Sequence, residues 1–386
     1  MITGQTGNEG ELKLRVYKIL ASLFIAGTLL ISASTIGAAP AQSSSITLKG
    51  YPDNFQMTGV KEGWGITLGG MWHTADGALS WKHPLSNTVP MPGNAVQLGK
   101  LAHYFAGDTE AWILSAYGPH KPTTLFHTLD KGKSWKTFRL PVKKSWEQGY
   151  ASGFMHFPDK QGGYILLCSE PALGMMEKSL YRTVDGGTSW SRVGDLTASI
   201  AAYPTGITFR DSDNGWITSS NHGQKSILTF RTADGGKSWK PEKLVSPPAL
   251  SGYAYSNSYP PVFSGKDKKD GVLPLEIVLN GVKSMVFYTS NNGGETWKHG
   301  PGIQGVEASR TAWLNARSGW ALQAGGKLLA TDDGGVSWKQ AAKGSAFDKA
   351  TEIQFSTSRT GWISGPEILW STADGGHTWR NLLLPS

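Results

Sequence analysis

The sequence predicts an all-β fold: a seven-bladed β-propeller of four-stranded antiparallel blades, preceded by an N-terminal signal peptide or anchor. Three observations predict it. The octapeptide Thr-x-Asp-Gly-Gly-x-Ser/Thr-Trp recurs seven times, ending at Trp81, Trp135, Trp190, Trp239, Trp297, Trp338 and Trp379. Successive copies lie roughly 40–60 residues apart, a period that signals one supersecondary unit per copy. No helical period occurs after residue 40; each interval holds about four short apolar runs, the content of one propeller blade.

At the N-terminus, Lys13, Arg15 and Lys18 lead into an apolar stretch from Ile19 to Ile36, followed by Ala39-Pro40-Ala41. A positive lead, an apolar centre and a small-residue end describe a secretory signal peptide over residues 1–41. The apolar centre is long, so the same residues also suit an uncleaved membrane anchor. Residues 42–50 are then a linker or a strand that closes the ring. Residues 51–386 hold the propeller.

Within each repeat, an apolar run leads into the motif, as in Leu228-Thr229-Phe230-Arg231-Thr232 and Val286-Phe287-Tyr288-Thr289. Four residues before the motif Asp the side chain is large: Trp72, Phe126, Tyr181, Phe230, Tyr288, Leu329 or Trp370. A β-rich run ahead of a Gly pair reads as a strand entering a hairpin. The Gly pair supplies positive φ. The carboxylates of Asp76, Asp130, Asp185, Asp234, Asp333 and Asp374 accept the turn's own amides, and Asn292 replaces Asp in the fifth copy. The Trp begins the return strand and buries against a neighbouring unit. A Gly-Trp pair or a variant precedes each hairpin, among them Gly63-Trp64, Ala111-Trp112, Gly215-Trp216 and Gly361-Trp362, and marks a further strand. Two more copies depart from the pattern: Ala78 stands for the second Gly and Lys131 for the first. Such swaps fit a structural turn better than a catalytic array.

These octapeptides resemble the Asp-box (BNR) repeat of sialidases, xyloglucanases and the sortilin ectodomain. Paired with Gly-Trp, they look closer to the photosystem II stability/assembly-factor-like propellers, a family also found among secreted bacterial proteins. The resemblance covers residues from about 50 to the end and implies a propeller that binds or assembles rather than catalyses. A photosystem II assembly role would follow from it only in a thylakoid-bearing host. A sialidase is expected to carry an Arg trio, a Tyr/Glu pair and an Arg-Ile-Pro signature, and that tripeptide is absent here.

The residue chemistry points the same way. Net charge is +8 with only 17% charged residues. The Lys residues that follow the motif Trp (Lys82, Lys136, Lys240, Lys298, Lys339) suit solvated blade edges. No basic helix or Arg-rich arm suits nucleic acid. The nine His residues are scattered and hold no metal-ligand spacing, so no metal or cofactor is expected. Cys168 is the sole cysteine and reads as a small buried hydrophobe. Glycoside hydrolysis needs two facing carboxylates, and Glu170, Glu177, Glu276, Glu307 and Glu352 fall in different repeats. Glu170 and Glu352 are the two that suit the central channel.

Binding is therefore expected on the face opposite the Asp turns, from the long connections at 83–95, 141–151, 168–178 and 241–258. Candidate contact residues are Lys143, Lys144, Trp146 and Tyr150 on one loop, Tyr253, Tyr255 and Tyr259 on another, and His222 and Arg310. The expected partner is a protein or a glycan/cell-envelope polymer, met by a monomer outside the cytoplasm. The membrane is touched only through the N-terminal segment if that stays uncleaved. A glycan-binding or glycan-hydrolysing propeller is the alternative.

Overall fold

The structure, a computed structural model, describes residues 48, 50–52, 54–83, 89, 91, 101–115, 123–143, 150–172, 175–222, 227–248, 252 and 255–383. Residues 1–41 lie outside them. Strands account for nearly all regular structure, and neighbouring strands run antiparallel.

The first sheet holds β1 (Asn54–Met57), β2 (Gly63–Thr67) and β3 (Gly70–Thr74). The second holds β4 (Ala102–Phe105), β5 (Ala111–Ser115), β6 (Thr124–Thr128) and β7 (Lys136–Arg139). The third holds β8 (Ser152–His156), β9 (Gly163–Cys168), β10 (Lys178–Thr183) and β11 (Ser191–Asp195). A ten-stranded sheet then carries two motif copies. Its strands are β12 (Tyr203–Phe209), β13 (Gly215–His222), β14 (Thr229–Thr232), β15 (Lys240–Pro241), β16 (Tyr255–Ser258), β17 (Val262–Ser264), β18 (Asp270–Leu279), β19 (Val282–Ser290), β20 (Lys298–His299) and β21 (Ile303–Gln304). Two four-stranded sheets follow: β22 (Thr311–Trp313), β23 (Gly319–Gln323), β24 (Lys327–Thr331) and β25 (Lys339–Lys343); then β26 (Glu352–Phe355), β27 (Gly361–Gly365), β28 (Ile368–Thr372) and β29 (Arg380–Asn381).

Two units differ from the expected four strands. In the first, the return strand shrinks to a single bridge between His73 and Lys82, and the N–H of Leu48 takes the carbonyl of Trp81 at 2.9 Å. In the ten-stranded sheet the inner strand of the fifth repeat is split. Pro260 and Pro261 lack N–H donors and separate β16 from β17, both of which pair with β18. The freed β16 also pairs with β13, which fuses two repeats into one sheet.

The first strands of successive sheets lie side by side: β4 with β8, β8 with β12, β22 with β26, and β26 with β1. Side chains tie them together. His156 accepts the Phe209 N–H at Nδ1 (3.2 Å), and burial pushes its imidazole down to about 4, so it stays neutral there. Gln354 accepts the Met57 N–H at 2.8 Å. The aromatic of each Gly-Trp pair often reaches the next sheet: Trp64 Nε1 donates to Gly107 O (2.9 Å), Trp320 to Gly375 O (3.1 Å) and Trp362 to Gly77 O (3.0 Å). The last of these joins the final sheet to the first, and a shared core of Phe55, Met57, Trp72, Trp81, Trp362 and Leu369 fills the seam. Cys168 is fully buried as expected, and burial pushes its thiol up to about 12.

Candidate functional site

The seven motif turns share one hydrogen-bond pattern around the Asp or Asn, and in five of them, not those of Trp81 and Trp297, the Trp indole also closes the turn. In the fourth copy, Thr232 Oγ1 donates to Asp234 Oδ1 (2.8 Å) and accepts the Gly236 N–H (2.9 Å). Asp234 Oδ1 accepts the Ser238 N–H (2.9 Å), and Oδ2 accepts its hydroxyl (2.5 Å). Trp239 Nε1 closes the turn on Gly236 O at 3.0 Å. Asn292 reproduces this: its Oδ1 accepts the Thr296 N–H (3.1 Å), its Nδ2 donates to the Thr296 hydroxyl (2.9 Å), and Ser290 takes the part of Thr. Hydrogen bonds from Ser189 hold the Asp185 carboxyl at about 2. Burial alone pushes Asp234 and Asp333 up, but the hydrogen bonds from Ser238 and Ser337 outweigh it and hold both at about 2. Every oxygen of these carboxylates is engaged by its own turn, so none faces another as a catalytic partner.

The motif tryptophans divide. Trp81, Trp190 and Trp239 are buried, whereas Trp135, Trp297, Trp338 and Trp379 are half-buried. The return strand begins one residue after each Trp, at Lys136, Ser191, Lys240, Lys298, Lys339 and Arg380.

The strand registers set the motif hairpins at one end of the sheets. Gly215, Asp270 and Gly361 start their strands beside the motif, so β13 and β18 end at the far end. These two strands and β19 are long, eight to ten residues, and their far halves clamp β16. A cavity of about 570 Å³ lies beside them, lined by Tyr259, Glu276, Lys283, Glu307, Ser309 and Trp313 among others.

Glu276 is 5% exposed. Its Oε1 accepts from Asn257 Nδ2 (3.2 Å) and its Oε2 from the Ala308 N–H (3.1 Å). Asn257 Oδ1 in turn accepts the Ser220 hydroxyl at 2.6 Å. Ser220, Asn257 and Glu276 are register partners on β13, β16 and β18, so the fusion of the two repeats is what positions this carboxylate. Glu307 pairs with Lys283 at 3.2 Å on the exposed rim. Burial and the nearby Glu276 carboxylate push the Tyr259 phenol up. Glu276 and Glu307 fall in different repeats, as expected, yet both line one cavity, because the turn at Ala308–Arg310 packs against β18. Glu352, expected to suit the channel, is half-buried on β26, and that burial pushes its carboxyl up.

Several candidate contact residues converge on this corner. Tyr259 lines the cavity. Arg310, half-buried, ends the short turn that also carries Ser309. Tyr255 and His222 are backbone partners at the far end of β16 and β13. The other loop is placed elsewhere. Lys143 pairs with Asp195, which Arg192 also contacts. The Tyr150 hydroxyl donates to Leu114 O (2.5 Å) and accepts the Ala102 N–H (3.1 Å), inside the core between the second and third sheets. Lys144, Trp146 and Tyr253 lie outside the described residues. Sequence reasoning missed Glu276 and Lys283 as a site; the signal available was the unusual length of the apolar run from Val272 to Leu279, with one acid inside it. Among the described residues no group of His, Cys, Asp and Glu is placed to hold a metal ion.

Fold and turn together define a β-propeller built on a repeated Asp-capped hairpin. No protein-family model and no curated protein matches the sequence. Among solved structures the chain is similar to one described as YCF48 bound to D1 peptide, with 17% identity and a TM-score of 0.53 over 88% of this chain and 99% of that one. A second YCF48, from Cyanidioschyzon merolae, gives 18% identity and a TM-score of 0.46 over 87% and 95% of the two chains. A GH74 enzyme from Niastella koreensis gives 10% identity and a TM-score of 0.38, over 86% of this chain and 62% of that one. The first likeness shows the fold, that of a YCF48-like propeller.

Proposed function

We propose that this chain is a non-enzymatic binding propeller of seven blades that recognises a protein partner at the end opposite the motif hairpins. One observation carries the reading: a cavity beside the β13–β16–β18 fusion places the buried Glu276 and Lys283, from the far halves of β18 and β19, on one wall, while every motif carboxylate is engaged by its own turn. The similar YCF48 structure holds a D1 peptide, which supports a peptide-like partner for a propeller of this type. In this reading the chain works as a monomer outside the cytoplasm, released by cleavage near Ala41 or held by residues 1–41.

Photo-crosslinking residues placed at exposed positions test this. Asn280 and Val282 are exposed at the far end, in and beside the β18–β19 turn, and Leu129 and Val184 at the motif end. The expected result is crosslinking of one partner protein from 280 and 282 and none from 129 and 184. Capture only from the motif end would reverse the reading. A glycan-binding or hydrolysing role is the second reading, favoured by Glu276 and Glu307 on one cavity. Steady turnover of a soluble glycan by the purified chain, lost in Glu276→Gln, would establish it instead.

A further inference from the structure

We infer that the cavity takes a cationic side chain, arginine or lysine, from the partner segment, with Glu276 as its counter-charge; this rests on the reading of the far end as the binding face. Glu276 is a buried carboxylate with no Lys or Arg paired to it. A carboxylate in that position is costly unless something compensates it. Here one amide and one backbone N–H do so in part, one on each oxygen. A carboxylate offers about four acceptor positions, so each oxygen retains one. Two free positions on a fixed, planar group match a guanidinium fork, and one of them matches an ammonium.

The fixing is built into the strands. Asn257 has its Oδ1 occupied by Ser220, so its Nδ2 is the end that meets Glu276. The carboxylate therefore needs no reordering when a cation arrives. Tyr259 and Trp313 line the same cavity, and aromatic rings are favourable neighbours for a cation. At the rim, Glu307 is engaged by Lys283 in an exposed pair, a weak contact that an incoming cation can displace. The cavity, at about 570 Å³, has room for a long side chain and the backbone on either side of it.

The test uses the whole chain and acetylated, amidated hexapeptides that differ at one central position: arginine, lysine, citrulline or alanine. Binding is read by calorimetry. The arginine peptide is expected to bind saturably and the citrulline peptide at least about tenfold more weakly, because citrulline keeps the shape and loses the charge. Glu276→Gln is expected to cost the arginine peptide a similar factor while leaving the citrulline peptide unchanged. Since Glu276 also links three strands, a second variant, Ser309→Arg, places a tethered guanidinium at the mouth. It is expected to abolish arginine-peptide binding without lowering the thermal midpoint.

Equal binding of arginine and citrulline peptides overturns the inference. So does spermidine or glucosamine binding more tightly than any peptide, which assigns the cavity to a free cation. If crosslinking from Asn280 and Val282 succeeds while citrulline equals arginine, the binding face stands and only the cation fails.

Discussion

At the scale of single residues, the motif Asp is the keystone of its turn. Asp234→Ala removes three hydrogen bonds and leaves the Ser238 N–H without its partner. The expected loss is about 1–2 kcal/mol, measured by urea unfolding. The same carboxylates set an acid limit. Asp185, Asp234 and Asp333 titrate at about 2 in the folded chain against an ordinary 3.8. A lowered folded value means that the unfolded chain binds protons first as pH drops. Their stabilisation is complete above about pH 4 and disappears as pH falls through about 2. Thermal midpoints taken from pH 5 to pH 2 check this, and Asp234→Asn flattens the slope. The turn was legible in the sequence because its bonds are local. Lys131 was not: it holds φ 63° where Gly is usual, and its ammonium reaches Glu62 of the preceding sheet at 2.9 Å, a contact no local pattern announces.

At the scale of elements, the two motif glycines do different work. The first is the looser of the two: Lys131 holds its backbone angle, and a Cβ on Gly77, Gly186 or Gly375 would come no nearer than 3.0 Å to any neighbour. The second is a packing site. A Cβ on Gly187 would stand 2.1 Å from Trp112 Cη2 of the preceding sheet, at φ +83°. Gly187→Ala is expected to cost about 2–4 kcal/mol from strain and overpacking together. Gly375→Ala, a first-position glycine whose nearest neighbour is Ser358 O at 3.0 Å, is expected to cost about half that. Equal losses in the two variants would contradict the division. Ala78 holds the second position in the first sheet at φ 72°, fully packed, so the partner across that interface has left it room. The strands themselves were readable from Gly-Trp and the motif. The split of the fifth inner strand was foreshadowed by Pro260 and Pro261, yet the pairing of β16 with β13 depends on two distant repeats and has no local signature. The cavity was hidden for a similar reason: Glu276 and Lys283 come together in the β18–β19 hairpin, but Glu307 joins them only through the turn at Ala308–Arg310.

At the scale of the whole molecule, stability rests on each sheet gripping the next. Trp362 Nε1 on Gly77 O makes the first and last sheets neighbours like any other pair. Trp362→Phe keeps most of the buried ring and removes that bond, with an expected loss of about 1 kcal/mol by chemical denaturation. Trp362→Ala empties a fully buried site and is expected to cost about 3–5 kcal/mol. A loss no larger for Ala than for Phe would mean that the seam is not closed by this ring.

Leu48 and Leu382 both pack against that seam, one near each end of the described chain. A force applied through residues preceding Leu48 would therefore be delivered to the junction of the first and last sheets, peeling Leu48 from Trp81 before any other sheet is loaded. The ring would rupture at one defined joint, as a clasp does, while the fused strands around the cavity, on other sheets, kept their shape.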